Sequence, residues 1–199
     1  MWSRERVQSI RAATRRNILD AAFKIIKEDG WHELSMRKVA DGINYTVPII
    51  YEHFAGKNDL LLALAKQGFD QLTYKIDQAR SIYDAPEAQL KQMWLAFWDF
   101  SIDQKELYQL MFGVEVVTCD PQQIFCETNG CYNLFKNKIA EIIDTSNSSL
   151  EVNLKFYLFL SLVHGLIAIN MVAKSSTPEL NSQILHHALE TIINDLKKI

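Results

Sequence analysis

Apolar residues recur at intervals of three and four along nearly the whole chain, and this spacing constrains the fold more than any other feature. On an α-helix such residues share one face, whereas on a strand they would scatter over both. Only four prolines and seven glycines punctuate the 199 residues. No alternating strand pattern survives inspection, so the sequence predicts an all-α protein of about nine helices. Apolar residues make up 48% of the chain, enough to build a core and to exclude disorder.

End signals place the helices. Ala12 to Asp29 carries Ile18, Ala21, Ala22, Ile25 and Ile26 on one face, and Gly30 stands where a left-handed residue closes a helix. Trp31 to Leu34 leads to Ser35, the predicted N-cap of a short helix through SMRKVADGI that ends near Gly42 to Asn44. Next comes YTVPIIYEHF, Tyr45 to Phe54, in which Pro48 interrupts a helical pattern. A proline inside a helix costs about 3 kcal/mol or more. In the first turn the backbone N–H groups have no helical partner, so a missing donor costs little there. Pro48 therefore marks a helix start. The cap is Thr46, or else Val47, whose place before proline disfavours helical angles. Lys57 to about Tyr83 forms a long helix closed by Asp84-Ala85-Pro86. Aromatic-rich helices follow at Ala88 to Asp103, Glu106 to Val116, Pro121 to about Asp144, Leu150 to Lys174 and Pro178 to Lys197.

The net charge of -3 hides a gradient: residues 1–60 hold ten Lys/Arg and eight Asp/Glu, which leaves -5 for the remainder. Five arginines face Glu5 alone in the first sixteen residues, a composition that suits phosphate or a solvated terminus equally. Cys119, Cys126 and Cys131 form no CxxC pair and are odd in number, so they read as free thiols in a reducing compartment, with Cys126 and Cys131 the pair to test for redox chemistry. No apolar run follows the basic opening MWSRERVQSIRAATRR, so a cytoplasmic protein without a signal peptide is expected. Phe156 to Ala173 approaches the length of a membrane span, but Ser161, His164, Gly165 and Asn170 interrupt it. It reads as a helix buried in protein, with no membrane partner.

Two short helices joined by a tight turn, the second starting near Thr46, describe a helix-turn-helix, which can set its second helix in the DNA major groove. Thr46, Val47, Pro48 and Ile49 are small or apolar and suit phosphates and thymine methyls, while Tyr51, His53 and Lys57 offer polar tips. Ile50 and Phe54 are expected in the core, and Glu52 is expected to point away from phosphate. Tyr45 and Tyr51 also fit half-buried packing, and Lys38 fits a contact or a solvated charge equally.

At these residues the chain resembles the TetR family of bacterial transcription repressors. The pattern runs without a break through RRNILDAAFKIIKEDGWHELSMRKVADGINYTVPIIYEHFAGKNDLL, beginning at Arg15. It includes Ile-Leu-x-Ala-Ala in the first helix and Tyr-x-His-Phe-x-x-Lys at the end of the motif. The family's Gly-Val-Ser turn is replaced by Asn44-Tyr45-Thr46, in which Asn tolerates a left-handed conformation and Thr keeps a capping hydroxyl. The resemblance implies an N-terminal three-helix DNA-binding domain at 1–56 and a C-terminal helical domain at 57–199 that binds a small molecule and pairs two subunits. It also implies that Ser35 and Thr46 cap their helices against phosphates, that Arg37 reaches a base edge, and that Val47, Pro48 and Ile49 face bases. Tyr51 and His53 would meet the backbone, and Lys57 a phosphate.

For the ligand, Trp94, Phe97, Trp98, Tyr108, Met111, Phe112, Phe125, Tyr132 and Phe156 are candidates, each equally readable as core. His164 joins them as a polar group on an apolar helix. His164-Gly165, with Tyr108, Met111 and Phe112, resembles a His-Gly subtype of the family. Ser161 and Gly165 offer a groove for close helix approach, and the last two helices are the expected dimer interface. A dimer would read a roughly palindromic operator with half-sites about 34 to 36 Å apart, or a multiple of that. The expected function is a ligand-responsive transcriptional repressor released from its operator by a small apolar or aromatic effector. No catalytic residue, metal site or cofactor is expected, because no nucleophile has a credible base and no phosphate-binding loop or metal spacing occurs. The alternatives are an all-helical enzyme or carrier with an apolar pocket, for which His164 is the best catalytic candidate, and a helical protein-interaction module.

Overall fold

The computed structural model describes residues 2–113, 121–143, 149–172 and 177–196. Among them are nine α-helices, one 3-10 turn and no strand. The helices are α1 (Trp2–Asp29), α2 (Met36–Gly42), α3 (Val47–Tyr51), α4 (Lys57–Arg80), α5 (Pro86–Asp103), α6 (Lys105–Phe112), α7 (Pro121–Ile142), α8 (Ser149–Val172) and α9 (Pro178–Leu196). The 3-10 turn, Trp31–Glu33, follows α1. The all-α expectation holds.

Several predicted ends move. α1 starts at Trp2 rather than Ala12, because its early residues include no proline or glycine and are rich in the helix formers Arg, Glu and Gln. α4 ends at Arg80 rather than Tyr83; α6 runs to Phe112, with the Gly113 N–H on the Gln109 carbonyl at 2.7 Å, and its expected end at Val116 lies outside the described residues. Gly30 has the expected positive φ of 89°, but its ψ of 159° is extended rather than left-handed helical. Its N–H still completes α1 by bonding the Ile26 carbonyl at 3.0 Å.

The chain divides into two compact units, Met1–Phe69 with Lys105–Glu127, and Asp70–Gln104 with Thr128–Ile199. In the first, Ile18, Ala22, Val39, Ile50 and Leu60 are fully buried, and Phe54 nearly so. Each large apolar side chain removed from water in this way stabilises by roughly 1.5–3 kcal/mol. α4 and α6 meet closely at Gly68. A Cβ there would stand 2.5 Å from Met111 Sδ and 3.0 Å from Leu107 Cγ, so any side chain at this position requires Met111 to shift.

The second unit centres on Trp94 of α5, whose indole is stacked between Phe135 of α7 (centroids 4.0 Å apart) and Phe159 of α8 (5.5 Å). α8 and α9 are joined by two polar contacts: Asn181 Nδ2 donates to Asn170 Oδ1 at 2.8 Å, and Lys155 Nζ to Asp195 Oδ2 at 3.1 Å. The expectation that α8 would be a buried helix holds only in part. Its most apolar stretch has a mean hydropathy of 1.7, long and apolar enough to cross a membrane, yet only 33% of it is buried. Phe156, Phe159, Val163 and Ile167 fill the core, while Leu150, Leu154, Tyr157, Leu158, Ile169 and Val172 are exposed on another face.

Candidate nucleic-acid interface

The turn between α2 and α3 is built by Asn44. Its φ of 55° is left-handed, and it places the Tyr45 N–H on the Ala40 carbonyl (2.9 Å) and its own N–H on the Asp41 carbonyl (3.3 Å). These two bonds, with the Ile43 N–H, close the carbonyls at the end of α2, the pattern usually supplied by glycine. The chain then extends through Thr46, with ψ of 148°, and enters α3 with Val47 in its first position and Pro48 in its second. Val47 therefore accepts the helix despite its place before proline, and Thr46 is the cap position. The Thr46 hydroxyl, however, makes no capping hydrogen bond. The expected cap is right in place but not in chemistry. At Ser35 both agree, because its Oγ accepts the Lys38 N–H at 3.2 Å.

α3 is anchored by Ile50 and Phe54, at 0% and 1% exposure, and its other side is left outward. Thr46, Pro48 and Tyr51 are exposed, and Val47, Ile49 and His53 are half-buried at its margins. Tyr51 is 53% exposed and so is not packing, while Tyr45 is half-buried. Arg37 extends from α2 with its side chain 85% exposed and 4.0 Å from Asp41. Lys57 is held more firmly: its Nζ donates to the His32 carbonyl at 3.1 Å and lies 5.7 Å over the Trp31 ring. Lys38 is a surface ion pair with Glu33 at 2.7 Å, of a kind that contributes little to stability.

Two arginines that sequence reasoning did not assign belong to this surface. Arg15 donates to the His53 carbonyl at 2.9 Å, with its guanidinium 4.0 Å over the Phe54 ring, and Arg11 donates to the Glu52 carbonyl at 3.4 Å. Both bonds cap the C-terminal end of α3, where cations are favoured by the exposed carbonyls. The run of arginines in the opening residues was the available signal. Burial, and then Arg11, lowers the His53 pKa from its usual range; Glu52 opposes the shift and Arg15 adds to it. The early part of α1 and the α3 region enclose a groove of about 630 Å³, walled by Val7, Ile10, Arg11 and Thr14 on one side and by Tyr45, Ile49, Glu52 and His53 on the other.

The ligand candidates divide between the two units. Tyr108, Met111 and Phe112 lie in the first, with Tyr108 and Met111 buried and Phe112 edge-on to Phe69 at 5.3 Å. Trp94, Phe97, Trp98 and Phe156 are buried in the second, and Tyr132 lies 4.9 Å from Phe156. His164 meets Phe97 edge-on at 5.4 Å, and burial lowers its pKa to about 4. The Trp94 Nε1–H is buried without a hydrogen-bond partner among the described residues. The side chain of Phe125, that of Cys126, and all of Cys119 lie outside the described residues. Burial raises the Cys131 thiol to about 12 in spite of its hydrogen bond to Thr73, which makes it a poor nucleophile.

A short helix presented outward after a left-handed turn, backed by the short α2 and the long α1, has the geometry of a helix-turn-helix unit. Residues 18–64 match the model of the bacterial regulatory proteins of the tetR family. The chain carries that match from the second half of α1 through α2 and α3 into the start of α4. It is 30% identical over 120 residues to the HTH-type transcriptional activator FasR of Mycolicibacterium smegmatis, a match covering 59% of this chain and 54% of FasR. The chain thus spans about half the length of that relative. Its fold is similar to that of SCO4454, a TetR-family transcriptional regulator from Streptomyces coelicolor (TM-score 0.73, 19% identity, 92% of this chain and 89% of that one). It is also similar to that of FadR from Bacillus subtilis, solved in complex with stearoyl-CoA (TM-score 0.70, 18% identity, 89% and 97%).

Proposed function

We propose that the protein is a cytoplasmic transcriptional regulator that binds operator DNA as a dimer and responds to a small apolar or aromatic effector. The observation that carries this reading is α3: Thr46, Pro48 and Tyr51 are exposed on a helix locked from behind by Ile50 and Phe54. Residues 1–56 read DNA, with Ser35, Arg37, Thr46, Val47, Pro48, Ile49, Tyr51, His53 and Lys57 as the contacting set. To reach a phosphate, Lys57 exchanges its bond to the His32 carbonyl, a neutral acceptor, for a charged one.

Residues 57–199 take the effector and pair the subunits. The exposed apolar face of α8, extended by Leu180 and Ile184 of α9, is what a second copy of the chain would cover. Ser161 and Gly165 lie on the same exposed face, and a Cβ added at Gly165 would meet nothing within 4 Å, which leaves room for close approach of a partner helix. The effector enters the aromatic cluster around Trp94, where the unpartnered indole N–H offers it a hydrogen-bond donor. Stearoyl-CoA, seen on the FadR neighbour, is one probe with an apolar body and polar acceptors.

The switch is a shift of populations. The effector must favour the DNA-incompetent state, since equal affinity for both states shifts nothing. We infer repression as the direction, although the relative FasR is an activator by name. Selection of bound DNA from a random pool tests the reading: a palindrome is expected, and no enriched sequence would sink it. Replacing Arg37, Tyr51 and Lys57 together should weaken binding to the selected site at least about tenfold, given roughly 1–3 kcal/mol for the lost Arg37 base contact and a further loss from the two backbone contacts. Unchanged affinity in gel shifts would remove these residues from the interface.

A further inference from the structure

The face of α1 that is core at Ala22 and Ile18 continues toward the start of the helix as Arg15, Arg11, Val7 and Arg4, every step being three or four residues, which keeps one stripe. Ile18 and Ala22 are fully buried, whereas Arg4, Val7, Arg11 and Arg15 are exposed. Two of these arginines already cap α3, and the groove of about 630 Å³ lies between this stretch of α1 and the α3 region. Val7 and Ile10 line it at 64% and 59% exposure, so two apolar residues at its edge are left in water. Among the first sixteen residues five arginines face one acid, Glu5.

We propose that this groove receives one sugar-phosphate strand of the DNA, clamped between the first half of α1 and the recognition helix α3. The inference rests on the DNA-binding reading above and extends the interface beyond the helix-turn-helix. Deoxyribose rings pack against Val7 and Ile10, and phosphates accept from Arg4 and Arg11, which lie about 10 Å apart along the helix at 1.5 Å per residue. The Arg11 bond to Glu52 is long, at 3.4 Å, and is readily exchanged for a charge-assisted one. Glu52 on the opposite wall is one carboxylate against three guanidiniums of the stripe. The strand that borders the major groove beside an inserted α3 is the polyanion nearest to them. Such contacts add affinity without adding sequence preference.

The test is titration of the pool-selected duplex and of an unselected duplex of equal length at several salt concentrations, with wild type, Arg4→Gln, Arg11→Gln and the double variant. Each single change should weaken both duplexes by about threefold to tenfold near 0.1 M salt. The double variant should flatten the slope of log affinity against log salt by about two, because each phosphate contact contributes about 0.9. The preference for the selected duplex should be unchanged. Arg4 is exposed and makes no contact to the fold among the described residues, so its variant should melt as wild type does. If wild type binds the selected duplex and the double variant binds with the same slope, the clamp is wrong while the DNA reading stands. A changed preference would mean base reading and would overturn the backbone assignment. If wild type binds neither duplex, both readings fail.

Discussion

Asn44 holds a left-handed conformation, φ 55°, that costs most side chains roughly 1–2 kcal/mol and glycine nothing. Asn44→Ala is therefore expected to lower the unfolding free energy by about 1 kcal/mol, and Asn44→Gly to leave it unchanged or raise it slightly, as read by urea denaturation. His164 predicts a pH dependence. Burial holds its folded pKa near 4, against about 6.5 in the unfolded chain, so the unfolded state gains the proton first as pH falls. Stability from this group is present above about pH 6.5 and is lost toward pH 4, by up to about 3 kcal/mol. His164→Gln should flatten the difference in stability between pH 7 and pH 4.5. A variant with the wild-type pH profile would show that His164 titrates alike in the folded and unfolded chain.

Helices α4 and α6 are held together by the lack of a side chain at Gly68 as much as by the side chains around it. The Cβ of Gly68→Ala would displace Met111 Sδ, 2.5 Å away, and press on Leu107. Overpacking of this kind costs about 1–3 kcal/mol. Met111→Ala in the same chain should recover part of the loss, since residues in contact do not act additively. A double variant less stable than the sum of the single changes would show that Met111 is not the obstacle. α8 and α9 pose a different problem, because α8 is apolar also on the side that does not face its core, and α9 leaves Leu180 and Ile184 in water. The part-buried pair Asn170 and Asn181, 2.8 Å apart, sets one register between them, since a slipped pairing would leave the buried Asn181 amide unpaired.

At the scale of the molecule the exposed face of α8 is the feature without an explanation inside one chain. A contiguous apolar surface of this length is uncommon on a monomer. Leu154→Glu with Ile169→Glu should convert the proposed dimer to a monomer in sedimentation velocity. It should also weaken operator binding at least tenfold, because a single subunit reaches only one half-site. A double variant that sediments as wild type would place the interface elsewhere.

What the sequence determined is local. The all-α class, the start of α3 at Pro48, the Ser35 cap and the burial of Ile50 and Phe54 all follow from periodicity and from residues a few positions apart, whose geometry the helix itself dictates. Tertiary structure decided everything that joins distant segments. Arg11 and Arg15 meet carbonyls 41 and 38 residues away, and Lys57 meets one 25 residues back. Gly68 faces Met111, and one face of α8 stays in water. Periodicity marks which face of a helix is apolar but not which neighbour covers it. Packing makes that choice, and only the folded chain brings the candidates together.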